Sequence, residues 1–384
     1  MTRDDSRSGQ LTRRQAISLL GATVGSIRGA APLNGNPLQG PVSAPSAAAV
    51  EEARLRQWLT QVVEPVIEPA IPIIDPHHHL WHRADGTTYV LDDILGDAKG
   101  NNVRQTVFVQ ANSMYRADGP EAFRVVGEVE WVNGIAAESA SGMYGETRIA
   151  AGIVGAGNLM LGHDVEPVLE AQMAASRRFR GIRHSVGYTD PPVRPTTNTP
   201  RMLADPTFRT GFSHLSQYGL TFEAWLYYMQ LPDLVEIARA FPETTIILNH
   251  LGGPLGVGHW EGKLDEVFQV WKPAIAEVAT CPNVYVKVGG LGMGYLNGFG
   301  WEKRPKPPTS DELLVVNRRW FEHTIEVFGP QRCMFESNFP PDKGSTSYTV
   351  LWNHFKKLTK SFTPSERAAM FHDTAMRVYR LQRL

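Results

Sequence analysis

Cysteine is nearly absent from this chain, and so is any run long enough to cross a membrane. Cys281 and Cys333 are the only two cysteines among 384 residues, which excludes a disulfide framework and a four-thiolate zinc site. Any metal must be held by other side chains, and the twelve histidines are the place to look. The longest uncharged stretch near the start, residues 15–27, falls short of the roughly 18 to 20 apolar residues of a spanning helix, so no membrane partner is expected. Charge of one sign is missing too. A net charge of −1 provides no global field to hold nucleic acid or an anionic surface, leaving a small molecule as the expected partner. The 42% hydrophobic content excludes disorder as the main state and suits one large domain or two ordinary ones.

The first 49 residues are set apart by composition. Arg13 and Arg14 precede the short apolar run, and a stretch rich in Pro, Ala, Gly and Ser follows, ending in Ala47, Ala48 and Ala49. This resembles a twin-arginine export signal with a low-complexity linker, so the expected location is the periplasm. A cytoplasmic protein with a disordered extension is the alternative, and Arg28, Asp4 and Asp5 speak for it. Residues 50–69 have helical spacing with Glu51, Glu52, Arg54 and Arg56, and are expected to form one amphipathic helix before a main domain at 70–384.

From residue 71 onward β-branched runs alternate with segments of helical spacing, the pattern of parallel strands joined by helices. The expected strands are 71–79, 105–110, 148–154, 179–184, 220–226, 244–250, 284–288 and 332–338. Helices are expected at 120–139, 165–177, 206–218, 231–240, 255–280 and 311–328. Eight such units predict a (β/α)₈ TIM barrel with long loop insertions and an N-terminal extension. A doubly wound open sheet would carry a glycine-rich loop after its first strand; here that strand ends in Asp75-Pro76-His77-His78-His79.

In a parallel barrel, chemistry sits where strands end. Strand alternation turns His77 and His79 to the side of Ile73 and Asp75, and His78 away. Two converging imidazoles can bind a divalent metal or polarise a carbonyl. A purely structural pair is the alternative, and it would have to bury both rings without partners. His250 ends the sixth strand before Leu251-Gly252-Gly253, and Glu336 shares the inward alternation of Met334 and Asn338 on the eighth. His77, His79, His250 and Glu336 are therefore the expected catalytic residues, with Glu336 as a general base. On the fourth strand alternation admits either Arg183 or His184 to the lumen unless the strand bulges; Arg183 suits a carboxylate or oxyanion. Glu223 and Trp225 on the fifth strand and Lys287 on the seventh are weaker signals: Lys287 is expected to be solvated and Trp225 to be core. His163, His214, His259, His323, His354 and His372 receive no role, and His82 borders the mouth. The loops 190–200 and 289–308 are long enough to serve as lids, binding walls or subunit contacts, so an oligomer is among the expectations.

The segments Ile74-Asp75-Pro76-His77-His78-His79-Leu80-Trp81, Gly181-Ile182-Arg183-His184, Asn249-His250-Leu251-Gly252-Gly253 and Met334-Phe335-Glu336-Ser337-Asn338-Phe339-Pro340, with the closing 370–379, together resemble the amidohydrolase superfamily. The branch is the one that includes 2-pyrone-4,6-dicarboxylate and sugar-acid lactonases. The resemblance implies a hydrolase of small cyclic esters. Arg183, His184, Asn338 and Trp81 are then expected to meet the substrate. Metal-dependent members hold their ion with the paired histidines of strand 1, a histidine of strand 5 and an aspartate of strand 8. Here strand 5 has no histidine, and Asn338 stands where the aspartate is expected. A neutral amide is neither a base nor a good cation ligand. A substitute zinc set would be His77, His79, Glu223 and Glu336; a metal-free route, with the strand 1 histidines polarising the carbonyl, is the other expectation. A metal-dependent decarboxylase and a non-catalytic binding homologue are the alternative functions.

Overall fold

The computed structural model describes residues 47–193 and 195–384; Arg13, Arg14 and the linker lie outside the described residues. Eight parallel strands pair in chain order: β1 (Ile73–His78), β2 (Val103–Val109), β3 (Arg148–Ala156), β4 (Phe179–Ser185), β5 (Thr221–Trp225), β6 (Ile246–Leu248), β7 (Val284–Val288) and β8 (Cys333–Phe335). The ring closes through the extension of β8. Asn338 N donates to His77 O at 2.9 Å and His79 N to Phe339 O at 2.7 Å. The fold is the expected TIM barrel, with helices such as Glu166–Ala175, Pro206–Gln217, Leu231–Ala240 and Ser310–Phe328 around it.

Alternation along the strands builds two separate cores. Ile74, Val107, Val154, Ile247 and Met334 fill the lumen, while Ile73, Phe108, Ile153, Phe222 and Phe335 face the helices. The lumen's floor comes from the end of the chain. Ala375, Val378, Tyr379 and Leu381 belong to the inner cluster, fastened where Arg180 Nε donates to Tyr379 O at 2.6 Å and Gln105 Nε2 to Gln382 O at 2.6 Å.

Three expectations need correction. Ile73 and Asp75 do not share a side with His77. The pairing of β1 with β2 slips between Asp75 and His78, because Pro76 has no N–H for the ladder and the strand bulges there. The bulge reverses the phase: Ile74 points into the lumen, and three residues later His77 does as well. The N-terminal helix spans Ala47–Leu59 rather than 50–69. Pro65, Pro69 and Pro72 stop it from extending, and the segment instead runs as a tether, in which Glu64 accepts from Ser310 N (2.8 Å) and Ser310 Oγ (2.7 Å). Trp58 Nε1 donates to Arg304 O at 3.0 Å, so this helix packs on the barrel. The helix expected at 255–280 begins only at Leu264; Gly256 N instead donates to Leu296 O at 2.8 Å, joining the loops after β6 and β7.

Candidate active site

Glu336 lies just past β8, fully buried, between two imidazoles. Its Oε1 is 2.7 Å from His250 Nδ1 in an aligned hydrogen bond. Its Oε2 is also 2.7 Å from His77 Nδ1, but as a contact without hydrogen-bond alignment, so this oxygen keeps an unfilled lone pair. The His77 and His250 rings tilt over one another at 4.6 Å. Among the described residues these three form a group whose ligand atoms lie within 4.8 Å of one another.

His250 is held there by the local backbone. It follows β6 with φ of 52°, and Leu251 has φ of 58°, which turns the ring back over the strand ends. The chain after β7 leaves no space beside it: a Cβ on Gly290, whose φ is +69°, would stand 2.1 Å from His250 Nδ1, and one on Gly289 would stand 2.5 Å from Glu336 Cγ.

Beneath the trio lies a second buried group. Lys287 Nζ is 2.8 Å from Glu223 Oε2 and 3.3 Å from His77 Nδ1. Glu223 also accepts from Asn249 Nδ2 and from the Tyr379 hydroxyl. Every oxygen of Glu223 is therefore engaged away from the histidines. The set His77, His79, Glu223 and Glu336 is not assembled; among the described residues the group that could hold an ion is His77, His250 and Glu336, without His79 or Glu223. Lys287 is not solvated either, but fully buried. Its signal was legible: in Val284-Tyr285-Val286-Lys287-Val288 the alternation turns Lys287 inward with Tyr285.

His79 Nδ1 donates to Val109 O at 2.7 Å. A carbonyl only accepts, so the proton sits on Nδ1 and Nε2 carries a lone pair. The neutral ring therefore has no donor left to polarise a substrate carbonyl. Burial, reinforced by Arg183, holds His79 well below the usual histidine range. Burial does the same to His77, followed by Lys287, and to His250, followed by Arg183. Burial pushes Glu336 up to about 8, against the pull of Lys287.

Arg183 is the residue of its strand pair that reaches the trio. Its Nη1 is 3.4 Å from His77 Nε2 and its Nη2 donates to Gln110 O at 2.5 Å. Its buried Nε has no partner among the described residues. Leu159 N donates to His184 Nδ1 at 3.1 Å, and the His184 ring packs on Phe208 at 5.3 Å. Above Arg183 opens a cavity of about 1060 Å³. Its walls include Arg83, Gln110, Asn112, Asn158, Arg183, His184, Trp225 and Tyr227, with Pro192, Thr196 and Thr197 from one long loop and Tyr295 and Leu296 from the other. Among the described residues, no aspartate or glutamate lines it. Trp225, expected in the core, is on this wall and meets His250 edge-on at 4.8 Å. Trp81 and Asn338 are not. Trp81 stacks on His79 at 6.2 Å and under Arg83 at 3.8 Å, and Asn338 Nδ2 donates to Asp342 Oδ1 at 2.7 Å. Gln110, Asn249, Asp342 and Tyr379 were not singled out beforehand, since side chains from distant segments meet only in the closed ring.

Residues 74–381 match the family described as Amidohydrolase. An uncharacterized protein of Sinorhizobium fredii, y4mH, is 35% identical over 333 residues, covering 81% of this chain and 99% of its own. An L-fucono-1,5-lactonase of Burkholderia multivorans is 25% identical over 237 residues, covering 62% of this chain and 73% of its own. The crystal structure of an amidohydrolase from Burkholderia multivorans with bound zinc aligns at a TM-score of 0.63 and 23% identity, over 81% of this chain and 100% of that one. At that identity the likeness concerns the fold.

Proposed function

The chain belongs to the amidohydrolase family, and from that premise we propose that it hydrolyses a small cyclic ester bearing an anionic group. One observation carries the reading: Glu336 is held by His250 at 2.7 Å, and Arg183, which reaches His77 beside them, lines a cavity that also offers Arg83 and, among the described residues, no acidic side chain. A buried guanidinium with an unpartnered Nε calls for an anionic oxygen from the ligand.

Water is the nucleophile. Glu336 and His250 act as a dyad: the imidazole carries its proton at Nδ1 toward Glu336, and its Nε2 takes the proton of the attacking water. Glu336 stabilises the imidazolium that forms and fixes its tautomer. His79 lacks a free donor when neutral, so the charge growing on the ester oxygen is met by Arg183, a role commonly worth about 3 to 4 kcal/mol for one donor. The floor pair Lys287 and Glu223 fixes His77 from below and brings no net charge.

His77, His250 and Glu336 also fit a divalent ion: their donors are nitrogen and carboxylate oxygen, and Glu336 Oε2 has a lone pair to give. Zinc held there would supply Lewis acidity and lower the pKa of water. The zinc of the Burkholderia multivorans structure supports this reading.

The test is acid release from five- and six-membered lactones, with and without a carboxylate, by the wild type and Glu336→Gln. Turnover of the carboxylated lactones by the wild type alone is expected. No acid release from any of them, with carbon dioxide released from an unsaturated or aromatic acid, would replace this reading with a decarboxylase.

A further inference from the structure

The backbone after β7 does two things within a few residues. At residues 289 and 290 it presses on Glu336 and His250 without room for a side chain. Two residues past Gly292 it forms the short helix Gly294–Asn297, which puts Tyr295 and Leu296 on the cavity wall. The strip is fastened midway, at Gly292. Gly292 N donates to Asp342 Oδ2 at 2.9 Å and its carbonyl accepts from Ser345 Oγ at 2.5 Å. Asp342 is fully occupied in this task. Its Oδ1 accepts from Asn338 Nδ2 at 2.7 Å, and its own N–H donates to Asn338 O at 3.1 Å. Both side chains are buried at 1% exposure. Asn338, only two residues past Glu336, has φ of 51°, a conformation Asn tolerates well.

We propose that Asn338 and Asp342 are positioning residues that latch the 289–297 strip, so that the Glu336–His250 geometry and the substrate wall at Tyr295 are set by one element. An aspartate at 338 would have no N–H to offer the Asp342 oxygen that Asn338 Nδ2 now meets at 2.7 Å. The amide suits this position because a donor is needed. What looked like a lost catalytic group is, in this chain, the donor half of a latch.

The rate readout rests on the hydrolase reading above; amide hydrogen exchange does not. The full chain is compared with Asn338→Gly, which keeps the backbone conformation and deletes the donor, with Asp342→Asn, and with the double variant Asn338→Asp plus Asp342→Asn. The double variant exchanges donor and acceptor and keeps the net charge. Each single variant should speed exchange within 289–297 and leave β1 to β4 as they were. It should also lower kcat on the order of 10- to 100-fold, with a smaller change in KM. The double variant should slow exchange again and recover most of the lost rate. Unchanged exchange in the single variants overturns the proposal, as does a double variant no better than either single. Exchange that rises throughout the barrel also overturns it, because that marks general fold support. If Asp342→Asn does not fold, Asn338→Gly and the double variant still decide the matter. A wild type that opens no lactone overturns the hydrolase reading, and the exchange comparison then decides the latch by itself.

Discussion

His250 Nδ1 and Glu336 Oε1 face each other at 2.7 Å with both side chains out of solvent. Neither group is open to bulk solvent, so each depends on the other for the proton it carries or lacks. This makes the two residues one unit. Glu336→Gln and His250→Asn should each lower kcat by roughly 10² to 10⁴ with little effect on KM, and the double variant should be about as slow as the worse single. Steady-state kinetics on a carboxylated lactone checks this; losses that multiply would show that the residues act independently.

Arg183→Met removes the cation and most of the bulk stays. The loss of a charged hydrogen bond of about 1.5 to 3 kcal/mol should appear in kcat/KM for every lactone, since Arg183 meets the oxyanion that all of them form, and a further loss should appear for anionic ones. Equal losses on both substrates would mean that Arg183 does not read the anionic group, and no loss on the neutral ones that it does not meet the oxyanion.

Gly290→Ala is the smallest change that tests the contact above the dyad. Its Cβ would meet His250 Nδ1 at 2.1 Å, and the residue would be strained at φ of +69°. Activity should fall as steeply as in His250→Asn, while far-ultraviolet circular dichroism keeps the wild-type shape.

The pH behaviour follows from burial. Glu336 and Asp342 are each pushed up to about 8, so between the ordinary carboxylate range and about 8 the folded chain holds protons that the unfolded chain has released. Stability contributed by these groups therefore falls as pH rises through that window. Buried His77, His79 and His250 act with the opposite sign, but only below about 6.5, where the unfolded chain is protonated and the folded one is not. Above neutrality these carboxyl groups still act, and Lys356, lowered by burial to about 8, opposes them only toward the top of the window. Calorimetry of the chelator-treated protein should show a falling Tm from about pH 7 to about 8, flattened in Asp342→Asn. The rate should rise over the same range as Glu336 ionises, and Glu336→Gln should lack that rise.

Zinc should raise the Tm of the wild type and leave that of Glu336→Gln and His250→Ala unmoved. A free zinc concentration 100 times Kd corresponds to about 2.7 kcal/mol of added stability. A thermal shift series with zinc and then with chelator measures it; an equal shift in all three proteins would place the ion elsewhere.

The barrel was legible because eight apolar runs recur at strand and helix intervals, and His77, His250, Arg183 and Glu336 were legible because each ends such a run. Lys287 was visible in the same alternation, but a lone lysine at a strand end usually reaches water; its burial depends on Glu223, 64 residues earlier. The setting of Asn338 was hidden for a similar reason. Its partner Asp342 lies in a loop without periodicity, and the hydrogen bond between them leaves no mark on either segment. The bulge at Pro76 had a local cause, yet its effect on side-chain direction appears only once β1 is paired with β2.

The Tyr379 hydroxyl reaches Glu223 from beneath, out of the last turn of the chain. During synthesis β5 and β7 are made long before that residue exists, so Glu223 and Lys287 can meet while the floor of the barrel is still open to water. The floor can be sealed only once residues 375–381 have been made. Assembly of the site therefore waits on a late stretch of the barrel, and a fragment that stops before Tyr379 would lose the dry setting of its charges.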